Sequence, residues 1–186
     1  RSSMNNFENL TNLPDITFKS KGKPQLAELA RYVDHMKQSL FDEQWSHGTK
    51  KHIKTAMTLY IRSMQKQLAP MGAHYRADNI IGKQHLEHVI PQNKIITAYL
   101  HDKITAEVML QMPLCMIDDP DKHMFEGDWQ QAGDWHFPFR RYLSAGFTKT
   151  IKDVTGKAID LKNYTLYDHF DICLLYTSDA ADEVVR

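Results

Sequence analysis

Cysteine is scarce: two occur in 186 residues, Cys115 and Cys173. Cys173 opens a terminal run, Cys-Leu-Leu-Tyr-Thr-Ser-Asp-Ala-Ala-Asp-Glu, that matches the translation of a common transposase sequencing adapter. Residues 173–186 are therefore read as an artefact and kept out of fold reasoning, with the native chain cut near Ile172; a genuine polar tail is the alternative. On that reading Cys115 stands alone. An intrachain disulfide is then excluded, as is a cysteine pair for a structural zinc site. Long apolar runs are also lacking, and without about 18 consecutive apolar residues no transmembrane helix is implied. The segment Arg1 to Ser20 has no apolar signal-peptide core, and Arg1-Ser2-Ser3 before Met4 reads as upstream read-through, so a cytoplasmic protein is expected. An excess of either charge is missing too: 23 basic residues face 23 acidic ones. Leaving out Asp179, Asp182, Glu183 and Arg186 gives 22 against 20, a net of +2. Binding to nucleic acid would then need a local basic patch, because the overall field is weak. No internal repeat or low-complexity tract is present.

What remains is ordinary for one globular domain: 42% hydrophobic and 25% charged residues. Residues 1–22 read as a polar arm. Residues 23–72 read as a helical hairpin. In its first helix, Pro24 to about Trp45, Leu26, Leu29, Ala30, Val33, Met36, Leu40 and Phe41 recur at three- and four-residue steps. Ser46-His47-Gly48 breaks the pattern. Thr49 caps a second helix to about Ala69, with Ile53, Met57, Tyr60, Ile61, Met64 and Leu68 on one face. Lys37, Lys50, Lys51, Lys54, Arg62 and Lys66 lie on the polar faces, as a solvated surface or a nucleic-acid surface. Beyond Gly72 the pattern is of shorter elements. Residues 80–83 and 86–90 read as extended, 93–100 and 105–111 as short helices, and 112–117 as a strand. A helix over 139–145, a hairpin over 154–159 and a final helix from Asn163 follow.

The chemistry concentrates in His85-Leu86-Glu87-His88-Val89-Ile90-Pro91 and in Leu114-Cys115-Met116-Ile117-Asp118-Asp119-Pro120-Asp121-Lys122. A carboxylate such as Glu87 can hold a divalent cation, and a neutral His88 can take a proton from water. Together they suffice for metal-assisted phosphodiester hydrolysis.

Glu87-His88-Val-Ile-Pro91 resembles the first motif of the HNH endonucleases, and residues 114–122 resemble the second, with Leu114, Cys115 and Lys122 in register. Asp118 stands where that family has its second cysteine, and Asp119 where it has asparagine. The family's middle asparagine is missing: Leu110 falls near its place, and Asn93 is a weak substitute. The resemblance covers about residues 80–125. It implies a ββα-metal motif within 73–172, and an α+β fold in which the helical hairpin packs on that motif, with further short helices and a small β-hairpin. It implies Glu87 and Asp119 as metal ligands, and His88 as general base. His123 has the chemistry of a further ligand but matches no motif position. His85, Asn93, Asp118 and Lys122 are supporting candidates. Mg²⁺ is the expected ion, with Mn²⁺ or another first-row transition metal as options. The expected partner is nucleic acid, DNA before RNA, with no membrane association. Arg140 and Arg141, beside Trp129, Trp135, Phe137 and Phe139, are candidates for phosphate contact.

Other readings stay open. In a regular strand Glu87 and His88 point to opposite faces. His88 would then sit with Leu86 and Ile90 as a buried, hydrogen-bonded histidine, and Glu87 would pair with His85 on the wet face. The chain would be a non-catalytic binding or structural module, for instance of a phage or mobile element. A phosphoesterase for small substrates would use the same metal chemistry in a closed pocket. The remaining histidines, His35, His47, His52, His74, His101, His136 and His169, read as surface residues.

Overall fold

The computed structural model describes residues 24–125 and 134–174. The polar arm, Trp129 and the tail beyond residue 174 lie outside them. The architecture is α+β. Helix α1 (Pro24–Leu40) and helix α2 (His47–Leu68) form the hairpin. A 3-10 turn, Pro70–Gly72, leads to β1 (Tyr75–Ala77) and β2 (Gln84–His88). Helices α3 (Gln92–Leu100) and α4 (Ala106–Leu110) precede β3 (Leu114–Asp118). A 3-10 stretch, Asp119–Phe125, follows. Then come α5 (Arg140–Ser144), β4 (Ile151–Asp153) and a helical segment over 166–174.

The apolar spacing of the hairpin does what periodicity dictates. Leu26, Ala30 and Val33 of α1 and Met57, Ile61 and Met64 of α2 are buried in one cluster with Ile95, Tyr99, Met109 and Leu110. The ends differ from the pattern. Helix α1 stops at Leu40, and Phe41 and Trp45 are 63% and 42% exposed in the turn that follows. There the Asp42 carboxylate accepts from the Gln44 backbone N–H, a local bond that competes with helix continuation. Ser46, not Thr49, caps α2: its Oγ accepts from the Thr49 N–H, which places His47 and Gly48 inside the first turn.

The sheet has the order β2-β3-β1-β4. β2 runs antiparallel to β3, with Glu87 opposite Cys115 and Gln84 opposite Asp118. β1 is parallel to β3 and antiparallel to β4. Residues 80–83 form no strand, and Ile81 is 91% exposed. The unanticipated strand is Tyr75–Ala77, whose alternate residues are buried. The hairpin is present but begins earlier: Ile151–Asp153 is its strand, and Val154 to Gly156 make the turn, with Gly156 at a φ of 85°. A second, aromatic cluster lies against the sheet, with Tyr75, Cys115, Ile117, Phe139, Tyr142, Phe147 and Ile151 buried in it. Among the described residues no helix is long and apolar enough to cross a membrane.

Candidate functional site

β2 is the edge strand that carries the first motif, and its alternation decides the geometry. His85 and Glu87 share one face with their register partners Ile117 and Cys115, at the border of the aromatic cluster. Leu86 and His88 share the other, which faces α2.

On the first face, Glu87 Oε1 lies 2.5 Å from Arg141 Nη2 and Glu87 Oε2 lies 3.2 Å from His85 Nε2. Arg141 also donates to the His88 carbonyl oxygen at 3.0 Å. The side chains of Arg141 and Glu87 are only 8% and 17% exposed. Arg141 is therefore a counter-charge inside the fold, not a surface cation, which corrects its expected role in phosphate contact. Burial and the two-point hold tie α5 to β2 across the sheet edge. Arg140 donates through Nε to the Lys162 carbonyl at 2.6 Å and lies over the Phe137 ring at 3.7 Å. Cys115, opposite Glu87, is buried beside Tyr142, and burial pushes its thiol well above the ordinary range.

On the other face, His88 Nε2 donates to Gln65 Oε1 at 2.9 Å. Gln65 is itself fully buried on α2, and its Oε1 also accepts from Gln92 Nε2 at 3.0 Å, while its amide donates to the Met109 carbonyl at 3.1 Å. This network holds His88 as the Nε2–H tautomer. Burial first, then the charges of Arg62 and Arg141, lower its pKa to about 4. His88 is neutral at pH 7, as a base must be, but a pKa that low makes it a weak proton acceptor there. Gln65 and Gln92 are the residues that the motif misses. The signal for Gln65 was present: it stands four residues after Ile61, within the apolar stripe of α2.

The second motif lies at the far end of the ladder. Glu87 pairs with Cys115 and Gln84 with Asp118, which separates them by about 10 Å along the strands. Asp119 lies one residue beyond. Its backbone N–H donates to the Lys83 carbonyl, and its carboxylate is held below its ordinary pKa chiefly by Lys122, 3.2 Å away. Asp118 is buried, accepts from the Gly82 N–H at 3.4 Å, and lies 3.8 Å from Lys149. His123 is exposed in the 3-10 stretch, and Asn93 is exposed on α3. Glu87, His88 and Asp119 are thus not brought to one point. Among the described residues, the one group of three metal-type donors within 4.8 Å of one another is His74, His169 and Cys173. Glu87, Asp119 and His123 therefore do not fit a shared Mg²⁺ in this arrangement, and no catalytic step can be routed through one.

That other cluster corrects a sequence expectation. His74 and His169, read as surface residues, are 4% and 0% exposed. The cause is tertiary: His169 Nε2 donates to the Gln111 carbonyl at 2.6 Å, and its Nδ1 accepts from the Tyr75 hydroxyl at 2.7 Å. His74 Nδ1 accepts from the Leu114 N–H at 3.1 Å. Burial lowers the His169 pKa to about 4. Both His169 nitrogens are occupied by protein groups, and the third donor, Cys173, is buried in the final helical segment with its Sγ 3.5 Å from His169 Nε2. A metal would have to displace the Gln111 bond, so these histidines serve as core hydrogen-bonding groups.

No family model, curated protein or solved structure matches the chain.

Proposed function

We propose that this protein is a nucleic-acid-binding module in which the Glu87-His88 pair builds the fold and performs no chemistry. The observation that carries the non-catalytic part is the split of that pair: Glu87 is clasped by Arg141 on one face, and His88 is hydrogen-bonded to Gln65 on the other. A half-buried carboxylate with one oxygen on Arg141 and the other on His85 has little capacity left for a cation. Nucleic acid is the partner because Lys50, Lys51 and Lys54 gather on one helix beside an apolar recess, supplying a local basic patch on a near-neutral chain.

A metal-dependent HNH-type endonuclease is the second reading. It is favoured by one observation: β2 pairs antiparallel with β3 and the helical Asp119–Phe125 follows β3, although α3 and α4 stand between the two strands in the chain. Supercoiled plasmid incubated with the protein and Mg²⁺ or Mn²⁺, beside His88→Ala and a chelator control, separates the two. An intact plasmid is expected, with binding without cleavage read as gel retardation of a single-stranded oligonucleotide. Metal-dependent nicking by the wild type that disappears in a folded His88→Ala variant would replace the binding reading with the endonuclease.

A further inference from the structure

We propose that the corner joining α1 to α2 binds single-stranded nucleic acid, with one base resting on Phe41 and the adjoining phosphates against Lys50, Lys51 and Lys54. The inference rests on the nucleic-acid-binding reading and names its surface.

The corner holds a recess of about 470 Å³ whose apolar floor comes from Leu40, Phe41 and Leu100. That volume lies in the range of small-ligand sites and suits one nucleotide unit better than a long chain. Its rim is cationic. Lys50 and Lys54 lie four residues apart and Lys51 and Lys54 three apart, so all three project from neighbouring positions of α2. Among the described residues none of the three is in an ion pair. The rest of the lining, His47 and His101, adds no carboxylate. Of the acids nearest in sequence, Asp102 pairs with Lys37 at 2.5 Å, while Asp42 accepts from the Gln44 backbone and side chain and its charge offsets part of that of Lys50 but is not within ion-pair distance of it. Like charges at helix-neighbour spacing repel one another, so the cluster is a local cost that an anion would relieve.

The aromatic groups decide which anion. Along the sequence the helix lysines lack interleaved aromatic residues, but the end of α1 at Leu40 puts Phe41 into the recess, 63% exposed, and leaves Trp45, 42% exposed, in the same turn. A lysine row flanked by an exposed flat ring is what a sugar-phosphate strand with splayed bases requires. A duplex hides its base faces and offers Phe41 nothing to stack on. An acidic peptide would satisfy the lysines and leave the ring without a flat partner.

The test is fluorescence anisotropy of the full chain with a labelled 12-residue thymidine single strand, at 50 and 200 mM salt, beside a duplex of equal length. Replacing all three lysines by glutamine should weaken binding at least tenfold and reduce the salt slope by about 2, from roughly 0.7 per phosphate contact. Phe41→Ala should weaken it by roughly 5- to 100-fold, while Phe41→Trp retains it. These positions are at the surface, and circular dichroism checks that each variant folds. Wild-type affinity in the lysine and Phe41 variants overturns the assignment and leaves nucleic-acid binding to another surface. No binding by the wild type overturns both. Duplex bound as tightly, with the same losses, overturns single-strand selectivity. Full competition by thymidine monophosphate at micromolar concentration would make the occupant a free nucleotide and overturn the strand.

Discussion

Replacing Glu87 by leucine tests whether that carboxylate is structural. Its partner, Arg141, is 8% exposed and lies 2.5 Å away, so the substitution removes a carboxylate in direct contact with a largely buried guanidinium. Breaking a buried pair from one side costs about 3–5 kcal/mol. Glu87 keeps 17% exposure, and Arg141 keeps its bond to the His88 carbonyl, so the lower end, about 3 kcal/mol, applies. For a chain of this size each kcal/mol moves the melting temperature by about 2–4 °C, and the expected fall is roughly 6–12 °C. Removing both charges in Glu87→Leu with Arg141→Met should recover most of the loss, since a packed apolar pair replaces a desolvated ionic one. The assay is thermal unfolding by circular dichroism of the wild type, both single variants and the double variant. The coupling should be at least 1 kcal/mol, the scale seen for residues in contact. A melting temperature within 1 °C of the wild type for Glu87→Leu would refute the reasoning and return Glu87 to the pool of ligands.

Acid should destabilise the fold before the carboxylates titrate. His88 and His169 have folded pKa values lowered to about 4 from 6.5, so the unfolded chain binds their protons first. Their contribution is complete above pH 6.5 and disappears as pH falls toward 4, about 3 kcal/mol for each. Urea unfolding at pH 7.5 and 4.5 reads this loss, and equal stabilities would contradict the burial of the two rings. Tyr75→Phe removes the hydroxyl shared by His169 and Tyr164, and should cost about 1–3 kcal/mol in the same assay. Ser46→Ala should cost about 1 kcal/mol through the lost cap of α2. Chelator should leave the melting temperature unchanged, because protein groups occupy both His169 nitrogens; a fall on adding chelator would mean that the His74–His169 cluster holds a metal.

Features written in local periodicity were legible in the sequence. The stripe Leu26–Ala30–Val33 and its counterpart Met57–Ile61–Met64 announced the hairpin because a helix repeats every 3.6 residues. Strand alternation carried the alternative in which Glu87 and His88 part company and Glu87 meets His85, but it placed that pair on the wet face, where the structure has it half-buried against Arg141. Contacts between distant segments were not legible. Nothing near Glu87 announces Arg141, and nothing near Tyr75 announces the buried His169. The motif pointed to Glu87, His88 and Asp119 together because it carries spacing without register. The ladder that pairs Glu87 with Cys115 puts Asp119 at the other end. The exposure of Phe41 was likewise hidden, since the apolar pattern runs through Leu40 into Phe41 and the helix ends between them.

The insertion of β1 between β3 and β4 sets an order for assembly. Tyr75 pairs with Cys115 on one side and Asp153 on the other, both later in the chain. During synthesis the contacts between α1 and α2 can form as soon as both helices are made, whereas β1 must wait for two partners, the second near residue 150. Loop-closure entropy makes such distant pairings the slow steps of folding. A nascent chain stopped before Ile151 would carry a formed hairpin and a β1 with one edge open to pairing with other chains.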